Sequence, residues 1–475
     1  VVLRIIRRTT PPVFLGAQGK VAVGQELARK LLFCECPNKH KPSHILFIKK
    51  GAKASMKSSS YSGFFKLSVE ERMKEVAEFC TLTPEEQAIL KEADSLDMDK
   101  ADHMIENVIG RFTLPMGVGI NFVINGKDYV IPMVTEEPSV VAACSNAAKM
   151  ARPGGGFTTD YTGSVMISQI QLLDVPAPFY AKGKILENKE KIAEICNARD
   201  PMLVKLGGGV KDVEVRVLDS LVGPMVVVHL LVDTGDAMGA NAVNTMAEAV
   251  APFLEELTGG RAELRILSNL ADHRIARARA VFKKDAIGGE EVVDKMIAAY
   301  AFAAADPYRA ATNNKGIMNG IIPVVIATGN DTRAIESGAH AYAARSGQYS
   351  PFATWEKNAD GDLVGSIEMP MAVGLVGGAT KIHPAAKVAV KMLGVKTAGE
   401  LAQIIAAVGL AQNMAAMRAL ATEGIQRGHM SLHARNLAAT AGATGELLEK
   451  IVKQMVSEKN VRLEYAQELV KQYQK

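Results

Sequence analysis

Hydrophobic and polar residues alternate in the middle of the chain in a pattern that predicts strands and helices in a definite order. VMISQIQLLDV (165–175) alternates like a strand, and ENKEKIAEICNARDPML (187–203) has helical periodicity. VKDVEVRVL (210–218) and GPMVVVHLLVD (223–233) predict two more strands. A helix over 241–259 and a strand over 262–270 complete the set. The order strand–helix–strand–strand–helix–strand is that of a ferredoxin-like domain.

The second of these helices follows a turn that contains two glycines, GDAMGAN, which we call the glycine turn (Gly235–Asn241). Free backbone N–H groups at a helix N-terminus suit a pyrophosphate. Asp236 or Asn241 could instead serve only as a helix N-cap. The pattern by itself leaves both interpretations open.

A larger body surrounds this insert. Upstream, a hairpin is predicted from Phe122 to Ile131 with its turn at Asn125-Gly126. Glu137 follows at a junction that leads into an alanine-rich helix. Its carboxylate could point into a cleft, or it could be a solvated residue favoured by the helix dipole.

Lys315 lies in RAATNNKGIMNGIIPVVIATGND (309–331), which predicts a loop, a short buried strand from Ile321 to Ala327 and a second loop ending at Asp331. A cation and a carboxylate in one dry cleft can stabilise negative charge that develops on a carbonyl oxygen. A surface lysine and an unrelated turn aspartate would give the same pattern.

The C-terminal part is predicted to be helical. Helices are expected over 396–423, and two amphipathic helices end the chain. Between them, EGIQRGHMSLHARNLA carries His429 and His433. The pattern predicts a small helical lid joined to the body at Gly428.

Charge and composition restrict the partners. The 475 residues are 48% hydrophobic and 22% charged, which is typical of a globular protein, and no uninterrupted apolar run approaches the ~18 residues of a membrane span. Residues 1–55 carry eleven Lys/Arg and two Glu, a balance of +9, so residues 56–475 carry 4 − 9 = −5. We therefore expect no nucleic acid and no membrane partner. We also expect 1–55 to be an extension outside the fold.

The five cysteines form an odd, sparse set, which indicates reduced thiols and a cytoplasmic protein. Within the extension, Cys34, Cys36, His40 and His44 have the ligand types of a zinc site, but the segment is short and carries no other fold signal, so no metal is expected. Cys144 could be a nucleophile, but its small neighbours at helical spacing favour a packed core thiol.

Taken together, six motifs resemble class II (bacterial and archaeal) 3-hydroxy-3-methylglutaryl-coenzyme A (HMG-CoA) reductases, in similar order and spacing from about residue 60 to the C-terminus. They are ENVIG (106–110), EEPSVVAA (136–143), DAMGAN (236–241), NNKGIMNG (313–320), ATGND (327–331) and RGHMSLHARN (427–436). The resemblance implies reduction of HMG-CoA to mevalonate and CoA with two NAD(P)H, or the reverse oxidation, in the mevalonate pathway of isoprenoid metabolism.

The resemblance also implies an α+β fold with three parts. These are a large mixed α/β substrate and dimerisation domain (56–163 and 269–424), an inserted ferredoxin-like NAD(P)-binding domain (164–268) and a C-terminal helical flap (425–475). It implies active sites at a homodimer interface, to which ENVIG contributes, and so a homodimer or a higher homo-oligomer.

The family's catalytic set falls on Glu137, Lys315, Asp331 and His429, and the chemistry suits these residue types. Lys315 would hold the thioester oxygen while charge builds on it. Glu137, kept protonated by burial, would donate a proton to the aldehyde oxygen, and Asp331 would lie between them and tune both. His429 on the mobile lid would protonate the departing CoA thiolate, with His433 as its rival one turn later.

The same resemblance assigns binding roles. The hydroxymethylglutaryl group would be bound by Arg309, Ser139, Asn269 and Gln412. The cofactor would contact Asp200, Asp236, Met238, Gly239 and Asn241. A carboxylate at Asp200 accepts from a ribose 2′-hydroxyl and repels a 2′-phosphate, which favours NADH over NADPH, although Arg199 beside it softens that repulsion.

One position departs from the family. Members often carry an arginine for CoA where this chain has Phe65, and Lys66 beside it is the expected substitute. The sequence leaves two alternatives open. One is a CoA-acylating aldehyde dehydrogenase that uses Cys144 as its nucleophile. The other is a non-enzymatic nucleotide-binding module.

Overall fold

A computed structural model describes residues 57–92, 95–422 and 424–473, with the backbone alone over 425–432. The extension 1–55, with Cys34, Cys36, His40 and His44, lies outside the described residues, so the prediction that it is separate from the fold stays a prediction.

The described strands, in chain order, are β1 (Met116–Ile124), β2 (Lys127–Val134), β3 (Phe157–Tyr161), β4 (Val165–Leu173), β5 (Gly209–Leu218), β6 (Met225–Asp233), β7 (Arg261–Ser268), β8 (Ile275–Phe282), β9 (Ala353–Lys357) and β10 (Leu363–Pro370).

The first described helices are α1 (Val69–Cys80), α2 (Pro84–Lys91), α3 (Met98–Met104), α4 (Val140–Ala151), α5 (Pro178–Glu187), α6 (Lys189–Asn197), α7 (Pro201–Lys205), α8 (Ala240–Thr258) and α9 (Lys284–Ile287). The later ones are α10 (Glu290–Ala305), α11 (Pro307–Ala327), α12 (Thr332–Ala343), α13 (Gly378–Ile382), α14 (Pro384–Leu393), α15 (Ala398–Ala421), α16 (Ile425–Thr440), α17 (Gly445–Ser457) and α18 (Leu463–Tyr473). Short 3-10 turns cover Phe64–Lys66 and Arg152–Gly154.

The predicted ferredoxin-like insert is present as a four-stranded antiparallel sheet in the order β5-β6-β4-β7, packed against α5, α6 and α8. On β5, Val213 and Val215 are buried while the alternate residues Asp212 and Glu214 are exposed, as expected for a half-buried strand. The predicted single helix over 187–203 is instead the end of α5 followed by α6 and α7. Pro201 begins the last of these helices, because proline suits a first helical turn and cannot continue a preceding helix.

The larger body is built on a six-stranded mixed sheet in the order β2-β1-β3-β8-β10-β9. The predicted hairpin is present as β1 and β2, with Asn125 and Gly126 at positive φ in its turn. Helices α4, α11 and α15 pack together beside this sheet and share its hydrophobic core. The α+β fold class predicted from the sequence is confirmed.

The predicted strand from Ile321 to Ala327 is wrong, because this segment is the last part of the 21-residue helix α11. A helix that is buried on most of its surface shows a continuous apolar run, which periodicity cannot distinguish from a buried strand. Asn313 and Asn314 resemble loop residues, yet both are buried in α11. Asn314 donates to Tyr349 Oη and Ser350 O, and Asn313 accepts from Asn413 on α15.

Helices α16, α17 and α18 form a separate hydrophobic cluster around Ile451, Met455 and Leu469. Helix α16 begins at Ile425 and continues through position 428, so the predicted junction at Gly428 is wrong. The preceding helix α15 ends at Ala421, and Gly424 adopts a positive φ of 77° before α16. The interruption between the two helices therefore lies just before α16.

Within the described residues one helix, α15, is long and apolar enough to cross a membrane by length and composition. Two thirds of its most apolar stretch is buried inside the protein (67%), and its residues belong to the core of the larger body. The helix thus has the features of a core element.

Candidate active site

Lys315 and Glu137 form an ion pair between α11 and the loop that leads into α4. Lys315 Nζ lies 2.9 Å from Glu137 Oε2. The lysine side chain is 63% exposed and the glutamate side chain 35%. The sequence expectation of a carboxylate held protonated by burial in a dry cleft is therefore not met by the residues of a single chain. The expected proximity of the two groups is present.

Asn319 is a member of this cluster that the sequence analysis missed. Its Nδ2 atom donates to Glu137 Oε1 over 3.2 Å. Asn319 follows Lys315 by four residues, and i and i+4 positions share one face of a helix. Recognising α11 as a helix would have identified it.

Ser139 follows Glu137 at the N-cap of α4 and has the strained backbone angles φ 77°, ψ −22°. Its Oγ is buried and has no hydrogen-bond partner among the described residues. Left-handed backbone at a non-glycine residue is uncommon and often marks a functional position. The hydroxyl thus has a hydrogen-bonding capacity that no described residue uses.

Gln412 is 6% exposed on α15 and faces α4 and α11. Its Oε1 accepts a hydrogen bond from the Cys144 thiol at 2.8 Å, and a Cβ on Gly320 of α11 would lie only 2.7 Å from Gln412 Cβ. Cys144 is fully buried, and burial raises the pKa of its thiol. The prediction of a packed core thiol is confirmed.

The other residues predicted to bind substrate lie on different elements of the fold. Arg309 is half-buried in the first turn of α11, where its backbone N–H donates to Asp306 Oδ2. Asn269 is exposed just after β7, and its backbone packs against Gly338 of α12. Lys66 is exposed, with its Nζ 5.8 Å from the ring centre of the exposed Phe65.

Asp331 lies in a large cleft of about 1250 Å³. It is the N-cap of α12: Oδ1 accepts from the backbone N–H groups of Arg333 (2.9 Å) and Ala334 (3.3 Å). Its Oδ2 pairs with the Arg333 side chain at 3.1 Å. The predicted position between Lys315 and Glu137 is thus not the one the carboxylate takes in this structure.

The glycine turn lines the same cleft through Met238, Gly239 and Asn241. Gly239 is the N-cap of α8 with φ 97°, and a Cβ there would lie 2.3 Å from Thr234 Cγ2, so only glycine fits. The N-terminus of the 19-residue helix α8 thus faces open space with its first N–H groups, which suits the pyrophosphate of a dinucleotide.

Asp236, also predicted to contact the cofactor, is engaged elsewhere. Its Oδ1 accepts from the backbone N–H of Ala398 at 2.8 Å, and its carbonyl oxygen accepts from Leu375 at 2.8 Å. It therefore fastens the glycine turn to the larger body. Asp236 is also absent from the residues that line the cleft.

Asp200 and Arg199 line the same cleft. Asp200 is the N-cap of α7, where Oδ1 accepts from the backbone N–H of Leu203 at 2.9 Å. The second carboxylate oxygen has no hydrogen-bond partner in the described part of the chain. A charged oxygen is therefore available at this position.

His429 lies within α16, over the residues for which the backbone alone is described, and His433 follows on the same helix. The predicted site residues thus form two groups: Glu137, Lys315 and Ser139 with Gln412 among α4, α11 and α15, and Asp331, Asp200, Met238, Gly239 and Asn241 around the cleft. Among the residues described, no group of three or more His, Cys, Asp or Glu side chains is placed to hold a metal ion.

Comparison with known proteins identifies relatives along most of this chain. A family model for hydroxymethylglutaryl-coenzyme A reductase matches residues 68–434. The chain is 63% identical over 414 residues to a 3-hydroxy-3-methylglutaryl-coenzyme A reductase of Archaeoglobus fulgidus, covering 87% of this chain and 94% of that protein. It is 37% identical over 400 residues to a probable enzyme of the same name from Borreliella burgdorferi, covering 80% of this chain and 89% of that protein.

A solved structure has the same fold. The class II reductase of Streptococcus pneumoniae, bound to NADPH in open conformations, is 42% identical with a TM-score of 0.74, covering 86% of this chain and all of that one.

Proposed function

The chain belongs to the hydroxymethylglutaryl-coenzyme A reductase family, and we propose that its two groups of site residues form one active centre. The activity is that of an NAD(P)H-dependent oxidoreductase that interconverts HMG-CoA and mevalonate with release or uptake of CoA. The Lys315–Glu137 ion pair, at 2.9 Å, carries the assignment of the reacting centre.

NAD(P)H supplies a hydride in each of the two reductive steps. The cleft fits such a cofactor because the turn before α8 is closed by glycine at position 239 and leaves the helix N-terminus open. Met238, Gly239 and Asn241 would hold the dinucleotide at this turn. Asp236 would contribute indirectly, because it fastens the glycine turn to Ala398 on α15 and to Leu375.

Lys315 would place its ammonium against the carbonyl oxygen of the thioester, where negative charge develops. Glu137 would deliver a proton to the oxygen of the aldehyde, and Asn319 would keep its carboxyl group oriented. The substrate and the rest of the assembly would have to supply the burial that the single chain does not give Glu137.

Asp331, at the N-terminus of α12, would tune the ionisation of Lys315 and Glu137 through its negative charge. His429 on α16 would protonate the CoA thiolate. Both roles follow from the family pattern together with the residue types. Helix α15 ends at Ala421, and α16 begins at Ile425 directly after Gly424. This interruption between the two helices supports a lid that moves relative to α15.

Ser139 is well placed to bind the hydroxymethylglutaryl group because its buried Oγ is unpaired. Gln412 would present its amide nitrogen, since its oxygen accepts from Cys144. Arg309 would take the free carboxylate through its planar fork, and Asn269 a further polar group. Lys66 would neutralise a CoA phosphate.

For the cofactor we propose a preference for NADH over NADPH. Asp200 lies in the cleft with one carboxylate oxygen available to a ribose hydroxyl, and a 2′-phosphate there would meet like charge. Arg199 in the same cleft would offset part of the repulsion between Asp200 and a 2′-phosphate.

We also propose that the enzyme is a cytoplasmic homodimer or higher homo-oligomer. The segment around ENVIG exposes Ile105, Ile109 and Phe112, a set of large apolar side chains that a second copy would cover. The three cysteines in the described residues are free thiols, which suits a reducing compartment.

The test is HMG-CoA-dependent oxidation of NADH and of NADPH by the full chain, with free CoA thiol measured in parallel. Lys315→Ala should lower kcat by about 10²- to 10³-fold, the usual effect of removing one oxyanion-stabilising group. Lys295→Ala is the matched control, because it removes another exposed lysine paired with a glutamate. Wild-type kcat in folded Lys315→Ala would overturn the assignment of the reacting centre.

A further inference from the structure

Arg274 is fully buried at the junction between the two sheets. It lies between the end of β7 and the start of β8, and its guanidinium donates five hydrogen bonds. Nε donates to Tyr161 Oη (2.7 Å), Nη1 to Thr234 Oγ1 (3.0 Å), Ala237 O (3.1 Å) and Met238 O (3.1 Å), and Nη2 to Val373 O (2.6 Å).

These partners fix the glycine turn in position. Ala237 and Met238 belong to the turn itself, and both of their carbonyl groups accept from the same guanidinium nitrogen. The neighbouring segment also packs closely on the turn, because a Cβ on Gly374 would lie only 2.5 Å from Met238 N. The turn is thus held by Arg274 and by the segment that includes Val373 and Gly374.

The charge of Arg274 remains unneutralised by its hydrogen-bond partners, since all five are hydroxyl or carbonyl oxygens. Burial of a cation is costly, and it is tolerated here because each of the three guanidinium nitrogens donates to at least one oxygen. Its positive charge lies behind the turn that precedes α8, where it adds to the positive end of the helix dipole. An anionic group bound in front of the turn is stabilised by both.

We propose that Arg274 is a positioning residue for the dinucleotide. It holds the glycine turn in the conformation that exposes the α8 N-terminus, and it supplies positive charge behind the pyrophosphate. The inference rests on the proposed placement of NAD(P)H at this turn. Arg274 does not touch the cofactor, so its effect is on cofactor affinity and not on the chemistry of the reacting centre.

The experiment compares Arg274→Met, Arg274→Lys and Thr234→Val by steady-state kinetics and by direct titration of NADH. Arg274→Met keeps the length of the side chain and removes its charge and donors. It should raise the KM and Kd for the dinucleotide by about tenfold or more, with the KM for HMG-CoA changed by less than about twofold. Arg274→Lys should recover part of the loss, because it restores the charge.

Thr234→Val keeps the shape of the side chain but removes one acceptor of Arg274 and the hydroxyl that donates to Ser164 O and Ala237 O. It should give a smaller rise of the same kind. Free guanidinium at millimolar concentration should partly restore NADH affinity to Arg274→Ala. Arg277→Met is the matched control: Arg277 lies on β8 and pairs with Glu368 and Asp160, so its loss should leave the dinucleotide KM unchanged.

A folded Arg274→Met with unchanged dinucleotide affinity would overturn the inference. If Arg274→Met does not fold, Thr234→Val is the test in its place. An unchanged KM for the dinucleotide in Thr234→Val would also overturn the inference. Gly239→Ala separates this result from a wrong cofactor site. If Gly239→Ala weakens NADH binding and the Arg274 and Thr234 variants do not, only the role of Arg274 is lost; if none does, the placement of the dinucleotide is wrong.

Discussion

Lys315 and Asn319 lie one turn apart on α11 and donate to different oxygens of the same carboxylate, that of Glu137. The two donors fix the rotation of the carboxyl group as well as its position. Asn319→Ala should therefore lower kcat about tenfold, the cost of one hydrogen bond to a charged group, with little change in the KM for HMG-CoA. Steady-state kinetics measure both.

Thr312→Ala is the control for Asn319→Ala. Thr312 is exposed on the same helix, and its hydroxyl donates within the helix to Tyr308 O. Its kcat should stay within about twofold of the wild-type value, as is usual for surface substitutions. Equal kcat values in the two variants would contradict a positioning role for Asn319.

The buried Cys144 thiol should be dispensable for turnover. Cys144→Ala should keep kcat within about threefold and lower the free energy of unfolding by about 1–2 kcal/mol, because a buried hydrogen bond to Gln412 and some core volume are lost. Kinetics and urea unfolding test the two parts. The control is Cys196→Ala, which removes a buried thiol from α6 of the insert. Abolished turnover in folded Cys144→Ala alone would revive the acyl-enzyme hypothesis.

Asp200→Asn should move the cofactor preference toward NADPH. The amide oxygen can still accept from the Leu203 N–H, so the cap of α7 is kept while the charge is removed. The ratio of kcat/KM for NADPH to that for NADH should rise about tenfold, since like-charge repulsion of the 2′-phosphate is relieved. Asp212→Asn removes an exposed carboxylate of the same insert, paired with Lys189, and should leave the ratio unchanged.

The stability of the β1–β2 hairpin should depend on pH through Asp128. Burial opposes ionisation of this carboxyl group, but hydrogen bonds from Arg152 (2.9 Å) and from Ser59 Oγ and N (2.7 Å each) outweigh it and hold its pKa below the ordinary value. A carboxyl group with a lowered pKa in the folded state stabilises the protein above its unfolded pKa of about 4, and this contribution is lost as the pH falls through the folded pKa.

Asp128→Asn should accordingly lower the free energy of unfolding by about 1–3 kcal/mol at neutral pH, and the difference from wild type should shrink below about pH 4. Urea unfolding across this pH range measures it. Ser60→Ala, a change at an exposed neighbouring position, should leave the curve in place. A difference that stayed constant into acid would mean that the ionised form of Asp128 is not the source of stability.

Strand β5 of the insert was predictable because it is half-buried. Residues such as Val213 and Asp212 alternate on β5, and the alternation is visible in the sequence. Helix α11 was not, because its buried end has no periodicity and because Asn313 and Asn314 depend on partners at 349–350 and 413. Polar residues whose hydrogen bonds come from distant segments look like loop residues when only their neighbours in sequence are considered.

The same limit applies to the site. Motif resemblance placed Lys315, Asp331 and Glu137 in one catalytic set. It did not identify Asn319, whose contact with Glu137 depends on the helical conformation of this segment. It could not identify Arg274 either, since the five acceptors of that guanidinium come from positions 161, 234, 237, 238 and 373. Asp331 and Arg333 are only two residues apart, yet their pairing could not be predicted without knowing that Asp331 is the N-cap of α12.

The first and last strands of the insert, β4 and β7, are antiparallel neighbours, with Ile167 directly opposite Ser268. Facing residues of such a pair are about 5 Å apart, so the entry and exit points of the sheet lie side by side. A module with adjacent ends can be excised and its host rejoined through a few residues, or its own ends fused to make a free-standing unit. The connectivity thus fits an insertion into the larger body at a single point of its chain.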